Sequence, residues 1–255
     1  MAAVGIVDAV RRGEEEPAAA EAAPAAIEGH DALVAALGDL GVHGVLELSE
    51  DACRRTLLTL PSLELRRPAT TCRAQVPESP DGRLPVPRAQ LERAARKHPK
   101  VPDRIRPLRA LVDEIAWMSP REAVVAISIR LGGRFESLGP LSTIAFFRDG
   151  ELRSTQGYFR ITGGLLDVSP RASYVTQTPD VVLRRDGSQV SLPPYLQDAR
   201  DFGWSADERW LAIAGSYAVT VVEVASLERY DATGGGLRSV TLPQVAARLA
   251  WREGP

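Results

Sequence analysis

Five carboxylates precede short apolar runs of this chain, and they are the side chains best placed to do chemistry. They are Asp113, Glu114, Asp167, Asp198 and Asp201. If the apolar runs are strands that meet around one axis, the carboxylates converge at one rim and could bind a cation such as Ca²⁺, which takes several oxygen ligands. The metal candidates within this set are Asp113, Asp167 and Asp201.

Two arginines at the same rim offer these carboxylates a second use. Arg200 and Arg248 occupy corresponding positions in the pattern, so the acids could pair with guanidinium groups or cap loops instead of holding a metal. No pair stands out as the acid and base of a glycosidase. We therefore define a candidate ligand rim of six residues: Asp113, Glu114, Asp198, Arg200, Asp201 and Arg248.

Histidine and glycine supply no catalytic motif. We predict a solvated loop position for each of the three histidines, His30, His43 and His98. Neither His-Glu-x-x-His nor Gly-x-Ser-x-Gly occurs, so zinc-hydrolase and α/β-hydrolase chemistry lack their usual residues. The glycines at 132–133, 163–164 and 234–236 do not open a helix after a strand, which favours connecting loops over a phosphate cradle. We predict no catalytic residue and no cofactor.

Composition bounds the partners and the domain organisation. A net charge of −2 and a pI near 6.0 argue against nucleic-acid binding. Residues 14–29 are almost entirely Glu, Ala and Pro, so we predict a disordered tail over 1–29 and a single domain over 30–255. The short apolar start, residues 1–10, lacks the features of a signal peptide. It could be the outer end of a membrane anchor that begins upstream of residue 1.

A turn phrase that recurs four times predicts the architecture that positions these residues. The phrases begin at Ser79, Ser119, Ser169 and Ser205, which are 40, 50 and 36 residues apart (119−79, 169−119, 205−169). A unit of about forty residues, opened by a turn and built from short strands, is typical of a β-propeller blade. The intervals also predict helices over 31–40 and 88–97.

A tryptophan-bearing strand recurs with the turn phrase and predicts how the ring closes. Trp117, Trp204 and Trp251 end corresponding apolar runs, and we expect them to pack one blade on the next. The last copy, residues 247–251, has no partner strands after it, and an open edge invites aggregation. We predict that it joins the strands between residues 42 and 65. The fold class is therefore all-β, a propeller of about five blades with short helical inserts. Four or six blades, or a β-sandwich, are the alternatives.

The wording of these phrases resembles a known family. Residues 202–214, Phe-Gly-Trp-Ser-Ala-Asp-Glu-Arg-Trp-Leu-Ala-Ile-Ala, are similar to the strand, turn and strand of bacterial TolB-like and WD-repeat-like propellers. In these families the turn usually has glycine at the position that Glu208 occupies here. The turn that begins at Ser79 does have that glycine, Gly82. Asp51-Ala52-Cys53-Arg54, the turn at 60–63 and Cys72-Arg73 resemble membrane-anchored propellers of high-GC Gram-positive bacteria.

The resemblance implies a location and a disulfide. Such propellers are often held outside the membrane, so it implies an extracytoplasmic, membrane-associated domain with a Cys53–Cys72 disulfide. The alternative is a cytoplasmic WD-repeat-like scaffold with two free thiols. Propellers host unrelated activities, so the family says little about chemistry. We expect a non-catalytic module that binds a protein or cell-envelope ligand through residues 88–107 and 131–141. A second functional alternative is a metal-dependent hydrolase or lactonase that uses the rim carboxylates.

Overall fold

The structure is a computed structural model, and it describes residues 29–49, 54–68, 86–99, 101, 108–131, 141–158 and 166–252. Three helices lie in these segments: α1 (His30–Leu40), α2 (Arg88–Arg96) and α3 (Val224–Thr233). Helices α1 and α2 confirm the predicted helices. None of the helices in these segments has the length and hydropathy that crossing a membrane requires.

In the described segments the strands form four antiparallel sheets of four strands each, which confirms an all-β fold. Sheet I comprises β4 (Leu108–Ser119), β5 (Glu122–Leu131), β6 (Leu141–Arg148) and β7 (Glu151–Tyr158). Sheet II comprises β8 (Leu166–Val168), β9 (Tyr174–Gln177), β10 (Val181–Arg184) and β11 (Gln189–Val190). Sheet III comprises β12 (Asp201–Trp204), β13 (Trp210–Ala214), β14 (Val219–Glu223) and β15 (Ser239–Leu242).

Sheet IV joins the two ends of the described chain. It consists of β16 (Arg248–Arg252) followed by β1 (Gly44–Ser49), β2 (Arg55–Leu60) and β3 (Glu64–Arg66). The β16–β1 pair is antiparallel, with Leu249 opposite Leu48 and Trp251 opposite Leu46. The prediction that the last strand joins the strands between residues 42 and 65 is therefore confirmed. A blade is also predicted to begin near residue 74; its residues up to 85 lie outside the described residues, and its described part forms α2 and the start of β4, which belongs to sheet I. Residues 1–28 of the predicted tail lie outside the described residues as well.

The sheets pack face to face in the order I, II, III, IV, because side chains alternate between the two faces of every strand. In β5, Val124 and Ala126 pack against sheet II, while Val125, Ile127 and Ile129 face away from it. In β13, Leu211 and Ile213 face sheet II, whereas Trp210 and Ala212 join the cluster that sheet IV completes. Near-continuous apolar runs such as β5 and β13 therefore supply both faces of a buried sheet.

The outer faces of the two terminal sheets, I and IV, differ in character. Helix α2 lies across the outer face of sheet I, where Leu91, Ala94 and Ala95 share one cluster with the sheet. The outer face of sheet IV instead carries an ion-pair group, in which Glu47 contacts Arg55 at 3.3 Å and also contacts Arg252. An apolar helix face and a charged sheet face therefore bound the described stack.

The recurring serines form the same turn twice. The Ser169 N–H donates to Tyr174 O at 3.0 Å, and the Tyr174 N–H donates back to Ser169 Oγ at 2.9 Å. Ser205 and Trp210 repeat both bonds at 3.0 and 2.9 Å. Each turn contains a left-handed residue three positions after the serine, Ala172 (φ 56°) or Glu208 (φ 58°). This is the position at which the resembling family has glycine, which adopts such a φ most readily.

Three expectations are corrected by the structure. Asp113, Glu114 and Asp167 lie inside their strands rather than ahead of them, because β4 begins at Leu108 and β8 at Leu166. Helix α3 occupies 224–233, so Gly234 ends a helix (φ 69°) instead of belonging wholly to a loop. His98 is 2% exposed rather than solvated. Its N–H continues the turn after α2 by donating to Ala95 O at 3.2 Å, and this carries His98 inward.

Candidate ligand-binding rim

The predicted rim lies along the first strands of the sheets, β4, β8, β12 and β16, but its members have different surroundings. Asp201 begins β12 and is buried, at 7% exposure. Arg248 begins β16 and is exposed, as are Asp198 and Arg200 in the loop before β12. The strands bring Asp167 and Arg248 within electrostatic range of both Glu114 and Asp201.

Two of the acids make the same bond between neighbouring sheets. Glu114 and Asp201 each lie three residues before a tryptophan (117−114 and 204−201). Glu114 Oε2 accepts the N–H of Leu166 at 2.6 Å, joining sheet I to sheet II. Asp201 Oδ2 accepts the N–H of Leu249 at 2.7 Å, joining sheet III to sheet IV. The carboxylates thus satisfy backbone donors that would otherwise be buried without a partner.

Burial makes both carboxylates harder to ionise. Desolvation raises the pKa of Asp201 to about 6, against the opposing effect of the N–H bonds from Leu249 and Phe202 and the charge of Arg248. Desolvation likewise raises the pKa of Glu114, with further contributions from Asp167 and Asp113. Such shifts occur at functional sites and also in structural networks. The hydrogen bonds to Leu166 and Leu249 give these two acids a structural use.

Asp113 is the extra residue of a β-bulge. Pairing passes from Val112–Ile127 directly to Glu114–Ala126, which leaves Asp113 without an opposite residue. The bulge keeps Val112 and Ile115 in the same cluster and turns Glu114 toward sheet II. The Asp113 carboxylate accepts a short hydrogen bond from the Ser128 hydroxyl.

Asp167 differs from Glu114 and Asp201 because its residue is exposed. Desolvation by the surrounding protein nevertheless raises the pKa of its carboxyl. Oδ1 accepts the N–H of the next residue, Val168, at 2.8 Å. This bond lies within β8, whereas the bonds of Glu114 and Asp201 join two sheets.

The remaining rim residues are fixed by loop contacts. Asp198 accepts the Ser216 hydroxyl at 3.0 Å, and the Arg200 N–H donates to Ala214 O at 2.6 Å. Among the residues that the structure describes, no three His, Cys, Asp or Glu side chains lie close enough together to hold a metal ion. Cys53 and Cys72 fall outside those residues, so the disulfide stays a prediction.

Tryptophan and glutamate side chains also connect sheet II to sheet III. Trp204 stacks on Tyr174 with ring centroids 5.0 Å apart, which confirms the predicted packing role for this tryptophan. Glu208 reaches from the β12–β13 turn to the β8–β9 turn, where it accepts Ser169 Oγ at 2.5 Å and the Arg171 N–H at 2.7 Å. Trp117, by contrast, is only half-buried.

Of the two predicted contact segments, the structure describes α2 most fully. Its inner face is buried, and its outer face is basic; the exposed cationic side chains are Arg88, Arg93, Arg96 and Lys97. Arg88 pairs with Glu92 at 3.1 Å. Most of the other segment, residues 132–140, lies outside the described residues.

Sequence reasoning missed a cleft between sheets I and II. The cleft has a volume of about 400 Å³, and Arg148, Arg153 and Arg185 line it. The only signal in the sequence is a repeated tripeptide, Arg148-Asp149-Gly150 and Arg185-Asp186-Gly187, which follows the same kind of apolar strand twice. Hairpin turns favour Asp-Gly, and both turns are present. Nothing in the sequence indicates that the two turns are neighbours, so the sequence does not place their arginines in one cleft.

Known proteins add little to this description. No protein-family model matches the chain, and no curated protein matches it. A solved structure of hydrazine synthase from Kuenenia stuttgartiensis is similar, with a TM-score of 0.37 and 10% sequence identity, over 80% of this chain and 61% of that one. The chain thus spans less than two thirds of that protein. A similarity at this level supports no conclusion about fold or activity.

Proposed function

We propose that the chain is a non-catalytic binding module with a β-propeller architecture of the TolB-like or WD-repeat-like kind. In this proposal the four sheets are blades, the predicted segment near residue 74 supplies a fifth, and the module lies on the outer side of a bacterial membrane. The composite sheet IV supports the architecture, because propellers commonly unite strands from both ends of the chain in one blade. The ligand is a protein or cell-envelope component of acidic character.

The observation that carries the proposal is the outward face of α2. Three cationic side chains, Arg93, Arg96 and Lys97, are exposed on a helix whose other face is anchored in sheet I. A rigid support presents these charges in a fixed arrangement, which favours a specific acidic ligand and fast association. The carboxylates of Glu114 and Asp201 support a non-catalytic role, because each already accepts a backbone N–H.

Charge reversal on the surface of α2 tests the proposal. Deleting 88–100 would uncover the apolar face of sheet I, so we prefer the variant Arg93→Glu/Arg96→Glu, which leaves Leu91, Ala94 and Ala95 in place. We expect co-sedimentation of this variant with purified cell-envelope fragments to fall about tenfold, as loss of a few charge contacts implies. Arg229→Glu, an exposed change on α3, is the matched control. Equal binding by both variants would contradict the proposal.

Two cheaper measurements separate the alternatives. The hydrolase alternative is favoured by the electrostatic effect of Asp167 on both Glu114 and Asp201, and it requires a bound ion. Elemental analysis of the purified chain should then give a stoichiometric metal; the binding proposal expects none. The cytoplasmic scaffold requires free thiols at Cys53 and Cys72 in protein isolated from its native compartment, whereas the extracytoplasmic module requires a disulfide.

A further inference from the structure

A cleft between sheets I and II brings together side chains that the proposed function does not use. Its volume of about 400 Å³ falls within the range of small-molecule sites, about 300–1,000 Å³. It lies where β5 begins and β6 ends, at the opposite ends of these strands from residues 132–140. The cleft therefore opens at one end of these strands, and the predicted contact segment 131–141 connects them at the other end.

One carboxylate organises two of the three cleft arginines. Glu122 accepts Arg148 Nε at 2.5 Å with Oε1 and Arg185 Nη2 at 2.6 Å with Oε2. Glu122 is only 13% exposed, whereas each of the two arginines is 53% exposed. The hydrogen bond from Arg148 is the largest effect that lowers the pKa of Glu122 and keeps it ionised. The arginines thus shield the carboxylate and direct their remaining N–H groups outward.

The cleft retains unused cationic capacity. Each guanidinium carries several N–H donors, and a planar fork suits carboxylate or phosphate oxygens. Arg153 also lines the cleft, and within the described part of the chain it has no salt-bridge partner. The other acid of the lining, Asp186, directs Oδ1 to the Ser188 N–H at 2.8 Å. Three positive charges therefore face two negative ones, both of which already accept hydrogen bonds.

Apolar side chains also line the cleft. Met118 and Phe146 belong to the apolar cluster between sheets I and II, and they line the cleft beside Ser154. Gly187 (φ 88°) lies close to two residues of the lining. A Cβ at this position would lie 3.5 Å from the Phe146 ring and 3.4 Å from Ser154 Oγ, so glycine leaves this space free. Apolar side chains beside a few convergent polar groups are the usual lining of a small-molecule site.

We infer that this cleft binds a small organic anion, whose carboxylate or phosphate group contacts Arg148, Arg153 and Arg185 and whose apolar part lies against Phe146 and Met118. The site is independent of the α2 surface. If the α2 variant loses envelope binding, the inference about the cleft is unaffected. If the cleft fails to bind an anion, the proposal about the α2 surface is unaffected.

Calorimetric titration of the full chain with phenyl phosphate, 3-phenylpropionate and inorganic phosphate tests the inference. We expect phenyl phosphate to bind at least about tenfold more tightly than inorganic phosphate, because burial of the ring adds apolar contact. Comparison of phenyl phosphate with 3-phenylpropionate distinguishes a phosphate ligand from a carboxylate ligand. Absence of measurable binding by all three probes overturns the inference.

Variants of the cleft should change affinity in opposite directions. Arg153→Gln and Arg185→Gln should each weaken phenyl phosphate binding about tenfold, since each removes a charge-assisted hydrogen bond. Glu122→Gln should strengthen it, because it frees Arg148 and Arg185 from a competing carboxylate. Ser154→Phe should block the cleft. Arg229→Gln, an exposed arginine on α3, is the matched control.

The pattern of these variants decides the outcome. If Arg229→Gln weakens binding as much as Arg153→Gln, the probe binds to the general surface charge and the inference is wrong. Weaker binding by Glu122→Gln would also overturn it, provided that the variant has the circular dichroism spectrum and melting temperature of the parent chain. Arg153 has no salt bridge in the described residues, so its substitution is the one least able to disturb folding.

Discussion

Asp201 shows how a charged side chain can serve purely as a connector. Its carboxylate accepts the Leu249 N–H across the boundary between sheets III and IV, and it does so while 7% exposed. A buried backbone N–H without an acceptor would cost about 1–3 kcal/mol. The bond avoids that cost, but the negative charge itself is desolvated, which is why the pKa rises to about 6.

The raised pKa of Asp201 predicts a pH-dependent stability. Because the folded-state pKa is above the ordinary 3.8, the contribution of this group is present below about pH 4 and is lost as the pH rises through about 6. Asp201→Asn keeps an oxygen for the Leu249 N–H and removes the charge. We expect the variant to exceed the parent chain in unfolding free energy by up to about 3 kcal/mol at pH 8, and to equal it near pH 4. Urea denaturation across this range measures the difference.

An acid with the opposite surroundings provides the control. Bonds from Ser188 lower the pKa of the exposed Asp186, so Asp186→Asn should give no gain in stability at pH 8. A similar gain in both variants would indicate a general effect of net charge. Unchanged pH dependence in Asp201→Asn would show that Asp201 is not the group responsible.

The serine turns explain why this chain departs from the glycine of the resembling family. Both Ala172 and Glu208 adopt a left-handed φ, near 56° and 58°, that glycine would adopt with less strain. Glu208 has a reason to be there, because its carboxylate joins two turns in neighbouring sheets. Ala172 has no comparable polar role.

Glycine substitution should therefore separate the two turns. Ala172→Gly is expected to change the unfolding free energy by less than about 1 kcal/mol, since relief of strain and loss of chain stiffness oppose each other. Glu208→Gly should destabilise the chain by about 1–3 kcal/mol, because Ser169 Oγ and the Arg171 N–H lose their acceptor. Chemical denaturation of both variants makes the comparison. Equal effects would mean that the carboxylate of Glu208 contributes nothing.

The β16–β1 pair can be tested at its closest approach. A Cβ on Gly44 would lie 2.4 Å from Trp251 Nε1, and Gly44 has φ 136°. We expect Gly44→Ala to destabilise the chain by about 2–4 kcal/mol. In a Trp251→Ala background the same change should cost at least about 1 kcal/mol less, because the clash is gone. Additive effects in this double-mutant cycle would contradict the pairing of the two strands.

The sequence predicts the strands that are rich in β-branched residues. It predicts less well where those strands end and which elements pack beside them. The apolar run 210–214 forms β13 residue for residue, and the run 124–129 lies inside the longer β5. Helix α3 was missed because Val224 continues the apolar run of β14, so periodicity alone does not separate them. The bulge at Asp113 and the burial of His98 depend on packing between distant segments, which the sequence does not encode locally.

At the scale of the molecule, the sheets form a stack in which each contacts mainly its neighbours. Sheet III is covered on both faces, by sheets II and IV, and its strands β12, β13 and β14 are buried throughout. In sheet IV the last strand, β3, is exposed, with Leu65 at 57% exposure. Stability in such arrays is largely a sum of units and of contacts between neighbours.

Hydrogen exchange should reveal this gradient. We expect the amides of Ala212 and Val221, in the middle of the stack, to exchange most slowly and to require global unfolding. The amide of Leu65 should exchange by local opening at a rate that depends little on low concentrations of denaturant. Nuclear magnetic resonance or mass spectrometry can follow both. Protection of β3 equal to that of β13 would show that the chain unfolds as a single unit.

The pairing of β16 with β1 also sets the order of events during synthesis. On the ribosome, β1 is made early and β16 late, so one edge of β1 has no partner while sheets I, II and III are being translated. An unpaired strand edge can pair with another chain. Nascent copies on one messenger are therefore exposed to mispairing until residue 252 has emerged, and a chaperone that shields β1 would protect them over that interval.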